Sequence, residues 1–77
     1  MYKVYILYSK KIERYYVGYT NNLDKRLVTH NASGKKYTTK GIPWELVRSF
    51  NCSSKSAAIE LEQKIKKRGI KRYLEGL

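Results

Sequence analysis

The stretch Tyr2-Lys3-Val4-Tyr5-Ile6-Leu7-Tyr8, followed after a short polar link by Tyr15-Tyr16-Val17-Gly18-Tyr19-Thr20, decides the fold of this chain. Both runs are rich in aromatic and β-branched side chains, which favour extended backbone. In the first run Tyr2, Val4, Ile6 and Tyr8 fall on one face and Lys3, Tyr5 and Leu7 on the other. The link Lys10-Lys11-Ile12-Glu13 predicts a β-hairpin, although it lacks the Asn-Gly pair that favours the tightest turns. With an even number of loop residues, Tyr5 and Tyr16 share a face and Gly18 lies close to Tyr5 across the ladder. A glycine there leaves the phenol uncovered; a bulge or local twist is the equally open reading.

Working outward, Asn21 or Asn22 can cap a helix over residues 22–31, with Asp24 in its first turn and Leu23, Leu27 and Val28 as a modest apolar stripe. Arg26 and His30 stand four residues apart and therefore share a helix face. Residues 32–41 carry two glycines, three lysines and no periodicity, which predicts a long loop of the kind that often carries function. Pro43 ends it, and residues 44–50 alternate as a third strand. A second helix begins at Ser53 or Ser54 and runs to Arg68, with Ala58, Leu61 and Ile65 as its buried stripe and Gly69 as its stop. Residues 70–77 add one helical turn or fray. The expected fold is α+β, a small three-stranded antiparallel sheet flanked by helices in β-β-α-β-α order, forming one domain over residues 1–77.

Charge narrows the partners. Seventeen Lys and Arg against six Asp and Glu give a formal +11 over 77 residues, beyond the magnitude of about 2–8 usual for small soluble domains. Such a field calls for a polyanion, with nucleic acid foremost. No apolar run approaches the roughly 18 residues of a spanning helix, and Met-Tyr-Lys-Val does not open a signal peptide, so a cytoplasmic protein without a membrane partner is expected. Cys52 is the sole cysteine, which excludes an intrachain disulfide and a cysteine-rich zinc site and suggests a packing role.

The residues with chemical potential are few. Glu62 falls four after Ala58 and three before Ile65, on the apolar side of its helix, where a carboxylate must find a cation. A hydrated magnesium ion would satisfy it, and so would Lys66 one turn on; both readings are open. Arg26 can brace two phosphate oxygens, and His30 can move protons near neutral pH, although either could equally be an ordinary surface group of a helix end. Tyr5 or Tyr16 could act as a base only if nearby positive charge lowered its pKa from about 10. Tyr37, beside Lys35 and Lys36 and near Lys40, can stack on a base while the lysines meet phosphates. Lys66, Lys67 and Arg68 extend that basic surface and also suit the negative end of the helix dipole.

Taken in order, Val4-Tyr5-Ile6, Tyr16-Val17-Gly18, Asn22-Leu23 with Arg26 and His30, and Ala58 with Glu62 resemble the GIY-YIG nuclease superfamily, in particular its short, uncharacterised stand-alone bacterial branch. The likeness covers nearly the whole chain, including Gly34-Lys35, Lys36-Tyr37-Thr38 and Ile65-Lys66. It departs from the family where Lys3 replaces the first glycine, and no counterpart is evident for a late asparagine of many family nucleases. The resemblance implies a metal-dependent DNA endonuclease, structure-selective or weakly specific. Within it Tyr5 would be the preferred base, Tyr16 would position phosphate or water, and Arg26 would stabilise the transition state. His30 would assist proton transfer or hold Tyr5, and Glu62 would bind one Mg2+ or Mn2+. DNA is expected over RNA, with a protein partner as one source of specificity, since the 77 residues hold no separate DNA-binding domain. A nucleic-acid-binding module without cleavage, and an RNA- or ribosome-associated accessory protein, are the alternatives.

Overall fold

The computed structural model describes residues 1–32 and 38–77. Strand β1 (Tyr2–Ser9) and strand β2 (Arg14–Thr20) form the expected hairpin, with Tyr5 opposite Gly18 and Leu7 opposite Tyr16. The four-residue turn closes with Glu13 in the left-handed region at φ 53°, a conformation a glycine or asparagine would adopt at lower cost. Ile12 N–H donates to the buried Ser9 Oγ at 3.3 Å and so ties the turn back to the strand.

Helix α1 (Leu23–His30) follows at once. Thr20 starts it by accepting from Asn22 N–H at 3.0 Å, and Asn22 Oδ1 then accepts from Lys25 N–H at 3.1 Å as the N-cap. After the 3-10 turn Thr38–Gly41, strand β3 (Glu45–Cys52) pairs with the other side of β1, giving a fully antiparallel sheet in the order β2-β1-β3. Helix α2 (Lys55–Arg68) is capped by Ser54, whose Oγ accepts from Ala57 N–H at 3.1 Å, and ends at Gly69, φ 96°. Helix α3 (Ile70–Glu75) completes the described elements.

The alternation in β1 sends its side chains into two separate cores. Val4 and Ile6 meet Val17, Cys52, Ala58 and Ile65 under α2 and α3, whereas Tyr5 and Leu7 meet Trp44, Tyr16, Leu23 and Leu27 under α1. The sheet is thus covered on both faces, and β1, its centre, is solvent-free from Val4 to Leu7. This explains why Val4 to Leu7 reads as an unbroken hydrophobic run, with Tyr5 as the one polar-tipped member of those four.

Three local expectations need correction. Strand β3 starts one residue later than residues 44–50 suggest and continues to Cys52, because Trp44 leaves the ladder to plug the α1 core at 5% exposure. A register shift opposite Ile6 and Leu7 further breaks simple alternation around Val47. Val28 does not join the α1 stripe and is 71% exposed; Leu23 and Leu27 suffice because α1 is short. Of the two readings open for the C-terminal residues, the helical one holds: Ile70, Tyr73 and Leu74 of α3 lie on the α2 core and Tyr73 meets Phe50 edge-on at 5.9 Å. Cys52 packs in that core as expected.

Candidate active site

Four of the five residues expected to carry chemistry meet on the α1 side of the sheet. Tyr5 points from the central strand into that core with no exposure, and its Oη lies 2.9 Å from Nε2 of His30, itself 6% exposed at the end of α1. The exposed Arg26, one turn back, brings its positive charge to bear on the Tyr5 phenol. In the neutral tautomer whose Nε2 carries no proton, the Tyr5 O–H donates to that nitrogen. Burial first, then the charge of Arg26, pushes the His30 pKa below its ordinary value, which favours the neutral ring.

Tyr16 lies beside this group, its ring centroid 4.8 Å from that of His30 and 6.4 Å from that of Tyr5, with Trp44 edge-on at 6.2 Å. Gly18 makes the assembly possible. A Cβ there would stand 2.6 Å from Tyr5 Oη, 2.9 Å from Tyr5 Cζ and 3.3 Å from the Tyr16 ring, so the two phenols occupy the space a side chain would need. The glycine is required by close approach, not by an unusual backbone angle.

Glu62 arrives from α2, the helix on the opposite face. Its link to the α1-side group is long-range: its negative charge adds a minor upward push to the Tyr5 phenol. Its neighbour Lys66 also lines a cleft with Tyr16 at the β2 edge of the sheet. The Glu62 side chain is 12% exposed and ion-paired to Lys66 at 3.7 Å. The reading of Glu62 as a residue at the edge of the apolar stripe, paired with a lysine one turn on, is the one this geometry matches.

Burial outweighs the charge of Arg26 and pushes the Tyr5 phenol up to about 12. A phenol so placed keeps its proton at neutral pH and can donate it in a hydrogen bond. Tyr16, of intermediate burial, is the more exposed of the two phenols.

A divalent ion fits this donor set in one way only. Among the described residues no three His, Cys, Asp or Glu side chains cluster, so a closed metal cage is excluded there. A lone carboxylate suits magnesium, which keeps most of its waters and accepts one or two carboxylates. Of the residues expected to bind nucleic acid, Lys40, Lys67 and Arg68 are exposed, while Lys66 is half-exposed and engaged with Glu62. Lys35, Lys36 and Tyr37 lie outside the described residues. No helix among the described residues is long and apolar enough to cross a membrane.

Asn31 is the residue that sequence reasoning missed. Its Oδ1 accepts from Trp44 N–H at 2.6 Å and its Nδ2 donates to the Trp44 carbonyl at 3.2 Å, so one side chain clamps both main-chain groups of a residue 13 positions on. Through Trp44 the clamp supports Tyr16. An asparagine ending a helix gives no sign of this, because the same residue type serves as an ordinary cap.

Comparison with known proteins assigns the family. The GIY-YIG catalytic domain profile matches residues 1–73. A UPF0213 protein of Natronomonas pharaonis is 45% identical over 64 residues, covering 82% of this chain and 74% of that protein. One from Bacillus licheniformis is 41% identical over 64 residues, covering 78% and 66% respectively. One from Lactococcus lactis subsp. cremoris is 46% identical over 48 residues, covering 61% and 49%. The match thus spans from 49% to 74% of the length of these relatives. No solved structure gives a significant match. The chain belongs to the GIY-YIG family, a family of nucleases acting on nucleic acid.

Proposed function

We propose that this protein is a divalent-metal-dependent endonuclease that hydrolyses phosphodiester bonds in DNA. The observation that carries the reading is the buried hydrogen bond between Tyr5 and His30, with the Tyr16 ring packed against the same imidazole and the charge of Arg26 felt at the Tyr5 phenol. A purely structural core has no need to bury an imidazole against a phenol, since both bear a desolvation cost that apolar side chains avoid.

In this reading Arg26 binds a non-bridging oxygen of the scissile phosphate and offsets the charge that grows on it in the transition state. Tyr16, the accessible phenol, hydrogen-bonds and orients the attacking water; the proton that water loses as it attacks phosphorus passes to solvent, and the leaving oxygen takes one from solvent in turn. Tyr5 and His30 act as a rigid pair beside Arg26, with His30 packing against the Tyr16 ring and holding it in place. Glu62 would hold the Mg2+ or Mn2+, which when bound neutralises charge on the phosphate and leaving oxygen. Lys66 would then exchange its carboxylate partner for phosphate. Lys40, Lys67 and Arg68 add sequence-independent phosphate contacts.

The test is incubation of the purified protein with labelled branched, flapped, duplex and single-stranded DNA and the matching RNAs, with magnesium, manganese or chelator. Wild type should cleave with metal only, and Glu62→Gln should lose cleavage while its affinity in chelator stays equal or rises slightly. Equal cleavage by wild type and variant would overturn the assignment of Glu62. Absence of cleavage by wild type across the panel would overturn the enzyme in favour of a binding module.

A further inference from the structure

We propose that the cleft at the open edge of β2 seats the base of an unpaired nucleotide next to the phosphate being cleaved. The cleft measures about 260 Å³ and is lined by Tyr15, Tyr16, Val17, Lys66 and Ile70. Its position beside a scissile phosphate rests on the nuclease reading above; its chemistry does not.

Tyr15 and Tyr16 are consecutive, so their side chains leave β2 towards opposite faces of the sheet, and the cleft runs across the strand edge between them. Tyr16 leads to Arg26 and His30. Tyr15 has no part in that chemistry. Its ring is braced against Tyr8 at a centroid separation of 4.7 Å, and it packs on the core that also holds Ile70. An aromatic ring and a branched aliphatic wall offer π and dispersion contact to any base, without regard to sequence. Because β2 has β1 on one side only, its outer main chain is that of an edge strand, and edge strands offer donors and acceptors to an incoming group. Lys66 stands at the same cleft with its ammonium half-exposed and 3.7 Å from Glu62, placed to meet a phosphate on the active-site side of that base.

Size sets the ligand class. The cleft falls below the roughly 300–1,000 Å³ of sites that take drug-sized molecules, which suits a single flat base better than a base pair. A base within a duplex has both faces covered by its neighbours and must leave the stack to enter, at a cost of a few kcal/mol that vanishes when the strand is already unpaired. The cleft therefore selects unpaired positions: single strands, flaps and junction ends.

Photocrosslinking in chelator tests this without cleavage. The wild-type protein is irradiated with an oligonucleotide carrying one 5-iodouracil, either free or annealed to its complement, in DNA and RNA forms, and the crosslinked peptide is identified by mass spectrometry. Attachment at Tyr15 is expected, at least severalfold stronger from the free strand than from the duplex in whichever of DNA or RNA binds. Ile70→Trp, which fills the cleft, should remove that crosslink from a variant shown to be folded by circular dichroism. If that variant does not fold, the comparison of free and annealed strands on wild type decides alone. Equal crosslinking of both, attachment only at other residues, or a crosslink that survives in folded Ile70→Trp would overturn the proposal. A Tyr15 crosslink in a protein that never cleaves would sink the nuclease reading and leave the cleft standing. Cleavage without that crosslink would do the reverse.

Discussion

Tyr5 and His30 are joined by a 2.9 Å hydrogen bond between side chains 25 positions apart in the chain, both closed off from solvent. The bond has consequences at both ends of the pH scale. His30 has a folded pKa below its ordinary 6.5. As pH falls below 6.5 the unfolded chain takes up a proton that the folded chain refuses, so the stability this group contributes is present above that pH and is lost below it. Tyr5 behaves oppositely. Between pH 10 and about 12 the unfolded phenol ionises while the folded one does not, so stability falls as pH rises through that window, by on the order of 2–3 kcal/mol for a two-unit shift. Urea titrations of wild type and Tyr5→Phe at pH 8 and pH 11 measure it: the variant should lose less stability between the two. Parallel losses would place the alkaline sensitivity on other groups.

Gly18→Ala should damage the site more than so small a change suggests. The added methyl collides with the Tyr5 ring and hydroxyl, which cannot retreat because Tyr5 is fully buried. Overpacking of this kind costs about 1–3 kcal/mol, and displacement of the phenol should separate it from Arg26 and His30. Thermal melting and cleavage assays should both fall. A variant with unchanged melting and activity would show that the strand can shift at no cost.

The outline of the fold was legible because β1 and β2 alternate cleanly and their link is even, which sets Tyr5 opposite Gly18 and on the same face as Tyr16 without any tertiary knowledge. The helix spacing of Arg26 and His30 was legible for the same reason. Desolvation was not. Whether Tyr5 is a base or a buried donor depends on how deeply α1 and Trp44 close over it, and that depth is a property of the packed core, not of strand periodicity. The Asn31 clamp and the bulge near Val47 were likewise hidden, because each depends on where distant backbone comes to rest.

Tyr16→Phe and Tyr5→Phe should separate the phenol that touches the attacking water from the one that positions its neighbours. If Tyr16 orients the attacking water, its loss should lower turnover by about 10²-fold or more with little change in affinity measured in chelator. Tyr5→Phe should cost less, through a loosened His30 and Tyr16. The reverse ranking would place Tyr5, not Tyr16, next to the reacting water.

Phosphate contacts should show in the salt dependence of binding. Each neutralised phosphate contributes a slope of about 0.9 in log affinity against log salt for duplex DNA. The double variant Lys67→Ala with Arg68→Ala should lower the slope by one to two such contacts across unrelated sequences. An unchanged slope would mean that this end of α2 serves the helix dipole and not nucleic acid.

The Asn31 clamp can be read directly, since Trp44 is the only tryptophan in the chain. Asn31→Ala removes the bond accepted from Trp44 N–H and the one donated to its carbonyl. At about 0.5–1.5 kcal/mol each, their loss should reduce stability by about 1–3 kcal/mol and shift Trp44 emission to the red as the indole loses its seat against Tyr16 and Gly41. Asn31→Asp retains the acceptor but turns an anion towards the Trp44 carbonyl, so it should also fall short of wild type. Urea unfolding followed by tryptophan emission measures both effects in one titration. If Asn31→Ala unfolds at the wild-type urea concentration with unshifted emission, Trp44 is held by its apolar contacts alone and Asn31 has no positioning role at Tyr16.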